Sequence, residues 1–210
     1  RYLCSPSKEP CWSCLTCKKA RTPLFCDACG QLQPPAKVNL FEYVGMPIKF
    51  DISSSEVKSR LREFSTKVHP DKFATATRAE KDLAEEHSRV LSAAKTMLSN
   101  PVRRARYMIA LKRGDKQIDV HEETKEEAEA TKPSPQLLME MFELNEKVEE
   151  AKGMEERMQI TQEVADEMKK VEKFIQKALE QDDIDEAEKQ TDTLAYLHSI
   201  EIRLKESHRG

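Results

Sequence analysis

Glycine and aromatic residues are scarce in this 210-residue chain, with five glycines and only 6% Phe, Trp and Tyr. A turn-rich β-sandwich draws on both, for tight turns and for a wide core, so long helices are the better expectation. A basic excess is also lacking: 35 Lys and Arg stand against 38 Asp and Glu, a formal net charge of −3. A general nucleic-acid binder carries surplus cations to neutralise phosphates, so no nucleic-acid partner is expected. No apolar run approaches a membrane span. The densest, Tyr107 to Leu111, covers little more than one helical turn, so no membrane partner is expected either. Cysteine is missing from every position after Cys29; all six precede Gly30. A disulfide framework would spread its bridges along the chain it holds, so a local metal site in a reducing compartment fits better. The chain opens on Arg1 rather than Met, and the native N-terminus, with any targeting segment, is expected to lie upstream.

What the chain has in quantity is charge on helical periods. Residues 1–36 form a cysteine- and proline-rich module ending near Pro34-Pro35. Residues 37–113 read as four helices. Asn39 caps a short first one carrying Leu40, Tyr43 and Val44, closed by Gly45 and Pro47. A serine at 53–55 caps the second, where Val57, Leu61, Phe64 and Val68 step by four, three and four. Leu83, His87, Val90, Ala94 and Met97 mark a third, broken at Asn100-Pro101, and Val102 to Lys112 a fourth. Residues 114–135 read as an acidic linker with Glu122, Glu123, Glu126, Glu127 and Glu129. Residues 136–210 read as a three-helix bundle: Leu137 to Ala151, Met154 to Leu179 and Ile184 to Glu206. The fold expected is all-α, preceded by a small tetra-cysteine module.

Cys11-Trp-Ser-Cys14 and Cys26-Asp-Ala-Cys29 are two Cys-x-x-Cys pairs eleven residues apart. Each spacing forms a knuckle with two sulfurs on one side, and two knuckles complete a tetrahedral S₄ site for one structural Zn²⁺. A segment this small has no apolar core, so the metal supplies most of its folding free energy. Cys17 opens a second choice, a Cys14-x-x-Cys17 knuckle; the preferred set leaves Cys4 and Cys17 free.

His69-Pro70-Asp71 sits where the second helix gives way to a loop before an antiparallel third. Proline fixes the backbone, so an imidazole and a carboxylate project rigidly from a hairpin tip. Lys58, Arg60, Arg62 and Lys67 give the preceding helix a basic side suited to an acidic partner surface. With Tyr43, Lys67-Val68 and Lys72-Phe73 around the tripeptide, residues 39–112 resemble the J-domain family. The resemblance implies that His69, Pro70 and Asp71, with Lys58, Arg62 and Lys67, dock on a seventy-kilodalton heat-shock-type chaperone and trigger its ATPase.

In the helix from Leu137, the residues Leu137, Met141, Leu144 and Val148 make the inward stripe. Leu138, Met139 and Phe142 then fall off that stripe beside Glu143 and Glu146, an apolar cluster rimmed by carboxylates. In the last helix Ala187, Leu194 and Leu197 face inward and Tyr196 sits off their line. The three parts together resemble the HscB type of J-protein, the iron–sulfur cluster co-chaperone, in its zinc-bearing eukaryotic form. Cys11-Trp-Ser-Cys14, Phe25-Cys26, His69 to Phe73, Leu138-Met139-Glu140, Glu143 to Glu146 and Glu180 to Asp183 carry the likeness. It implies that Leu138, Met139, Phe142, Glu143, Glu146 and Tyr196 bind the cluster scaffold protein, and that the location is the mitochondrial matrix, with the cytosol as a second site. It leaves homodimerisation open. Two other readings compete: a J-protein serving a different client, and a zinc- or thiol-dependent oxidoreductase. The latter needs an open metal position or an activated thiol. The adaptor reading has no catalytic residue.

Overall fold

The computed structural model describes residues 11–15, 24–114, 135–151 and 153–207. Cys4, Cys17 and the acidic linker, apart from Gly114 and Pro135, lie outside them. The described residues are helical, with seven α-helices, one 3₁₀ turn and an isolated bridge pairing Phe25 with Leu32. None of the helices is long and apolar enough to cross a membrane. By contact the chain divides into two units, Arg1–Ile48 with Ile52–Ser99, and Lys49–Asp51 with Asn100–Gly210.

The first unit holds α1 (Leu40–Tyr43), α2 (Ser54–Val68), the 3₁₀ turn Pro70–Phe73 and α3 (Arg78–Ser99). The expected caps are in place: Asn39 accepts from the Glu42 amide at 3.0 Å and Ser53 from the Glu56 amide at 3.1 Å. On α2, Val57, Leu61 and Val68 are buried, while Phe64 is half-buried under two cations. On α3 the inward stripe is Ala84, His87, Leu91, Ala94 and Leu98. That corrects the stripe read from sequence, which put Leu83, Val90 and Met97 inside; they line its half-buried edge. Period analysis fixes a helical face to within about one residue, and packing chooses among the neighbours.

Gly45 closes α1 at φ +67°, and a Cβ there would lie 2.8 Å from Nη2 of Arg60. Arg60 reaches this spot because its Nε donates to the Val44 carbonyl at 2.8 Å, pinning α1 to α2. Gly45→Ala is therefore expected to cost about 2 kcal/mol, from left-handed backbone strain and a displaced guanidinium. A circular-dichroism melt checks it; an unchanged melting temperature would mean that Arg60 is not held there.

The second unit holds α4 (Pro101–Arg113), α5 (Pro135–Glu150), α6 (Met154–Glu180) and α7 (Ile184–Ser207). Val164, Val171, Ile175, Ala178 and Leu179 of α6 are buried, as are Ala187, Leu194, Leu197, Ile200 and Leu204 of α7, and the two helices pack along each other. The sequence grouped α4 with α2 and α3, yet by contact it falls in this unit, where it packs along α7 and touches α6. Three ion pairs fasten it to α7 and to the turn before it: Arg106 to Asp192 at 3.5 Å, Lys112 to Asp182 at 2.6 Å, and Arg113 to Glu188 at 2.7 Å. Buried Arg104 lies over the Phe50 ring at 5.2 Å, drawing residues 49–51 into the same unit.

Candidate functional site

The two cysteine knuckles fold alike. In the first, the Ser13 amide points at Cys11 Sγ (3.4 Å), the Leu15 amide donates to the Cys11 carbonyl (3.0 Å), and Leu15 is left-handed at φ +59°. In the second, the Ala28 amide points at Cys26 Sγ (3.4 Å), the Gly30 amide donates to the Cys26 carbonyl (2.8 Å), and Gly30 has φ +71°. Amides aimed at sulfur favour the thiolate. The four sulfurs of Cys11, Cys14, Cys26 and Cys29 lie within 4.8 Å of one another, with Cys11–Cys29 and Cys14–Cys26 both at 3.7 Å. A tetrahedron with metal–sulfur bonds of about 2.3 Å has edges of about 3.8 Å. The donor set therefore fits a thiophilic tetrahedral ion. As bare thiols, the Cys29 amide draws Cys26 down, but burial and the hydrogen bonds to the Cys29 and Cys14 side chains outweigh it and push its pKa up to about 12.

Two residues that the sequence reading did not single out as connectors tie this cluster into the first unit. Trp12 Nε1 donates to the Leu32 carbonyl at 2.7 Å, stapling the first knuckle to the segment after the second. His87, fully buried on α3, has Nε2 2.7 Å from the Gln33 carbonyl, which can only accept, so Nε2 carries the proton. Its Nδ1 then accepts from the Tyr43 hydroxyl at 2.5 Å. Burial holds the His87 pKa below its usual range and raises that of Tyr43, the Glu86 charge adding to the latter, so the neutral pair is favoured. No spacing rule announces a histidine used this way.

At the hairpin tip, His69 adopts φ −60° and ψ 129°, the extended conformation required of a residue before proline. Its Nδ1 accepts weakly from the Asp71 amide at 3.3 Å, which leaves Nε2–H as a free donor. Asp71 Oδ2 lies 3.5 Å from Nδ1, and both side chains are exposed. Lys58, Arg62 and Lys67 are exposed on α2, whereas Arg60 is spent on the Val44 carbonyl.

On α5 the stripe expected inside is half-buried at Met141, Leu144 and Val148; the Leu137 side chain lies outside the described residues. Leu138, Met139 and Phe142 are 49, 68 and 69% exposed, and Glu143 and Glu146 stand exposed beside them. Tyr196 is half-buried and donates its hydroxyl to the Met141 carbonyl at 2.5 Å, so it fastens α7 to α5. Asn145 does similar work, accepting from Arg203.

Known proteins resemble this chain in sequence and in fold. Over 197 residues the chain is 30% identical to the iron–sulfur cluster co-chaperone protein HscB homolog of Arabidopsis thaliana, covering 93% of this chain and 73% of that protein. This chain belongs to the HscB family. Residues 133–205 match the family described as the HSCB C-terminal oligomerisation domain. The crystal structure of the human co-chaperone protein HscB superposes with a TM-score of 0.77 at 28% identity, covering 95% of this chain and 98% of that one. Chaperone HscB from Vibrio cholerae gives 0.68 at 25% identity, covering 82% and 98%. The family likeness, the all-helical fold and the cysteine cluster expected from sequence are thus all present. Relatives named as co-chaperones fit a chain without enzymatic activity of its own.

Proposed function

We propose that this HscB-family chain is an adaptor: it holds the iron–sulfur cluster scaffold protein on α5, and stimulates a seventy-kilodalton heat-shock-type ATPase chaperone through the tip formed by His69, Pro70 and Asp71. The observation that carries the reading is the solvent-facing trio Leu138, Met139 and Phe142 rimmed by Glu143 and Glu146. Three large apolar side chains exposed on two turns of one helix cost solubility unless a partner covers them. In this reading residues 37–113 serve as the J-domain, its last helix α4 packing on α6 and α7, with 136–210 as the client bundle, 114–135 as the tether and 1–36 as the zinc module. Tethering the two binding parts raises the effective concentration of client at the chaperone. Tyr196 contributes by fastening α5 through the Met141 carbonyl. The resemblance and the eukaryotic relatives favour the mitochondrial matrix, with the cytosol second.

The test is a steady-state ATPase assay of a mitochondrial seventy-kilodalton chaperone, with this chain and the scaffold added singly and together. Stimulation by the chain alone, enhanced by the scaffold, is expected. Stimulation without any scaffold effect would point to a different client, and none at all would remove the reading.

The metal is proposed to be one Zn²⁺ per chain held by Cys11, Cys14, Cys26 and Cys29, a closed structural site. Bound zinc needs four thiolates, and acid supplies protons that compete for them. Affinity is therefore expected to fall steeply between about pH 7.5 and pH 5.5, by up to tenfold per proton taken up per pH unit. A colorimetric zinc indicator reads the release; pH-independent retention would speak against thiolate ligation. A closed S₄ site also leaves no position for a substrate, which disfavours the oxidoreductase alternative.

A further inference from the structure

The cations of α2 do not form one face. At about 100° per residue, Lys58 and Arg62 lie roughly 40° apart, whereas Lys67 lies about 140° further round. Between the two flanks stands Glu63, and both of its carboxylate oxygens are in use. Lys67 Nζ is 2.7 Å from Oε1 and Arg60 Nη1 is 2.7 Å from Oε2. The two cations also sit over the Phe64 ring, Arg60 at 5.4 Å and Lys67 at 5.5 Å. Arg60 is fixed in addition by the Val44 carbonyl, so it cannot turn outward without releasing α1. Lys67 has no such backbone anchor. Among the described residues, Glu63 is the carboxylate paired with it.

We propose that Glu63 is a specificity-determining residue for chaperone docking. By engaging Lys67 internally, it confines the freely available docking charge to Lys58 and Arg62. The inference rests on the J-domain reading above and names which part of the basic helix a partner uses. A partner carboxylate approaching Lys67 must displace Glu63, whereas one approaching Arg62 meets a cation on the far flank from Glu63. The hydrogen bonds from Lys67 and Arg60 hold the Glu63 carboxyl below the usual carboxylate range, consistent with a carboxylate that stays charged and occupied.

The test is a double-mutant cycle read as the concentration of this chain giving half-maximal stimulation of the chaperone ATPase, at low and at high salt. Lys67→Ala in the wild-type background is expected to raise that concentration less than twofold, and Arg62→Ala about tenfold. Glu63→Gln should lower it about threefold at low salt, an effect lost at high salt. In the Glu63→Gln background, Lys67→Ala should then cost about fivefold. A purely structural role for Glu63, acting through Arg60, would lower the melting temperature and act alike whether or not Lys67 is present. If Lys67→Ala costs the same in both backgrounds, the inference about Glu63 is overturned while the J-domain reading stands. If the wild-type chain does not stimulate the chaperone, the two fall together.

Discussion

Leu138, Met139 and Phe142 replaced together by alanine are expected to weaken binding of the iron–sulfur cluster scaffold more than about 100-fold, with the fold intact. The size follows from hot-spot energetics: a large apolar side chain at the centre of an interface typically loses about 1–2 kcal/mol or more on truncation, and three are removed. The preserved fold follows from exposure. All three side chains are about half or more solvent-exposed, so truncation opens no cavity and stability should change by about 0.5 kcal/mol or less. Glu143 and Glu146 should behave differently when replaced by glutamine. As rim charges they act mainly on the association rate, with a strong dependence on salt. Titration calorimetry against the scaffold separates the two classes, and a circular-dichroism melt confirms the fold. If the triple variant bound the scaffold as tightly as the parent, α5 would not be the client surface.

His69→Gln is expected to abolish stimulation of the chaperone ATPase, by at least about tenfold, without loss of scaffold binding. The geometry makes this a clean substitution. His69 is exposed and its ring makes one weak bond to the Asp71 amide, which a glutamine oxygen can imitate. Glutamine is also compatible with the extended backbone that Pro70 demands of its predecessor. What it lacks is the rigid ring that carries a donor at Nε2 away from the tip. An unchanged melt with lost stimulation would place the effect in recognition. Undiminished chaperone turnover would sink the assignment of the tip.

Much of this arrangement was legible before any coordinates. The cap at Asn39, a serine cap within 53–55, and the breaks at Pro70 and Pro101 are local signals, because a helix end is set by a few neighbouring atoms. So was the α5 pattern: Leu138, Met139 and Phe142, placed off the stripe, are exposed, and Met141, Leu144 and Val148, placed on it, are half-buried. The cysteine spacing singled out four candidate ligands, and their sulfurs converge. The α3 stripe slipped by about one position, because a wheel gives a direction but not the neighbour that fills it. The α2 cations were read as one basic side, yet Arg60 is an internal brace and Lys67 is paired with Glu63. Counting charges along a helix cannot show which of them are already answered.

Sequence by itself determined the seven α-helices, the four cysteines that come together and the identity of the exposed apolar trio, since each depends on spacing within one short segment. Tertiary structure alone decided that α4 groups with α6 and α7, that His87 ties Gln33 to Tyr43, and that Tyr196 pins α5 through the Met141 carbonyl. Those contacts join positions 44, 54 and 55 residues apart or more. At such separation, packing of whole surfaces selects the partners, and no local period records the choice.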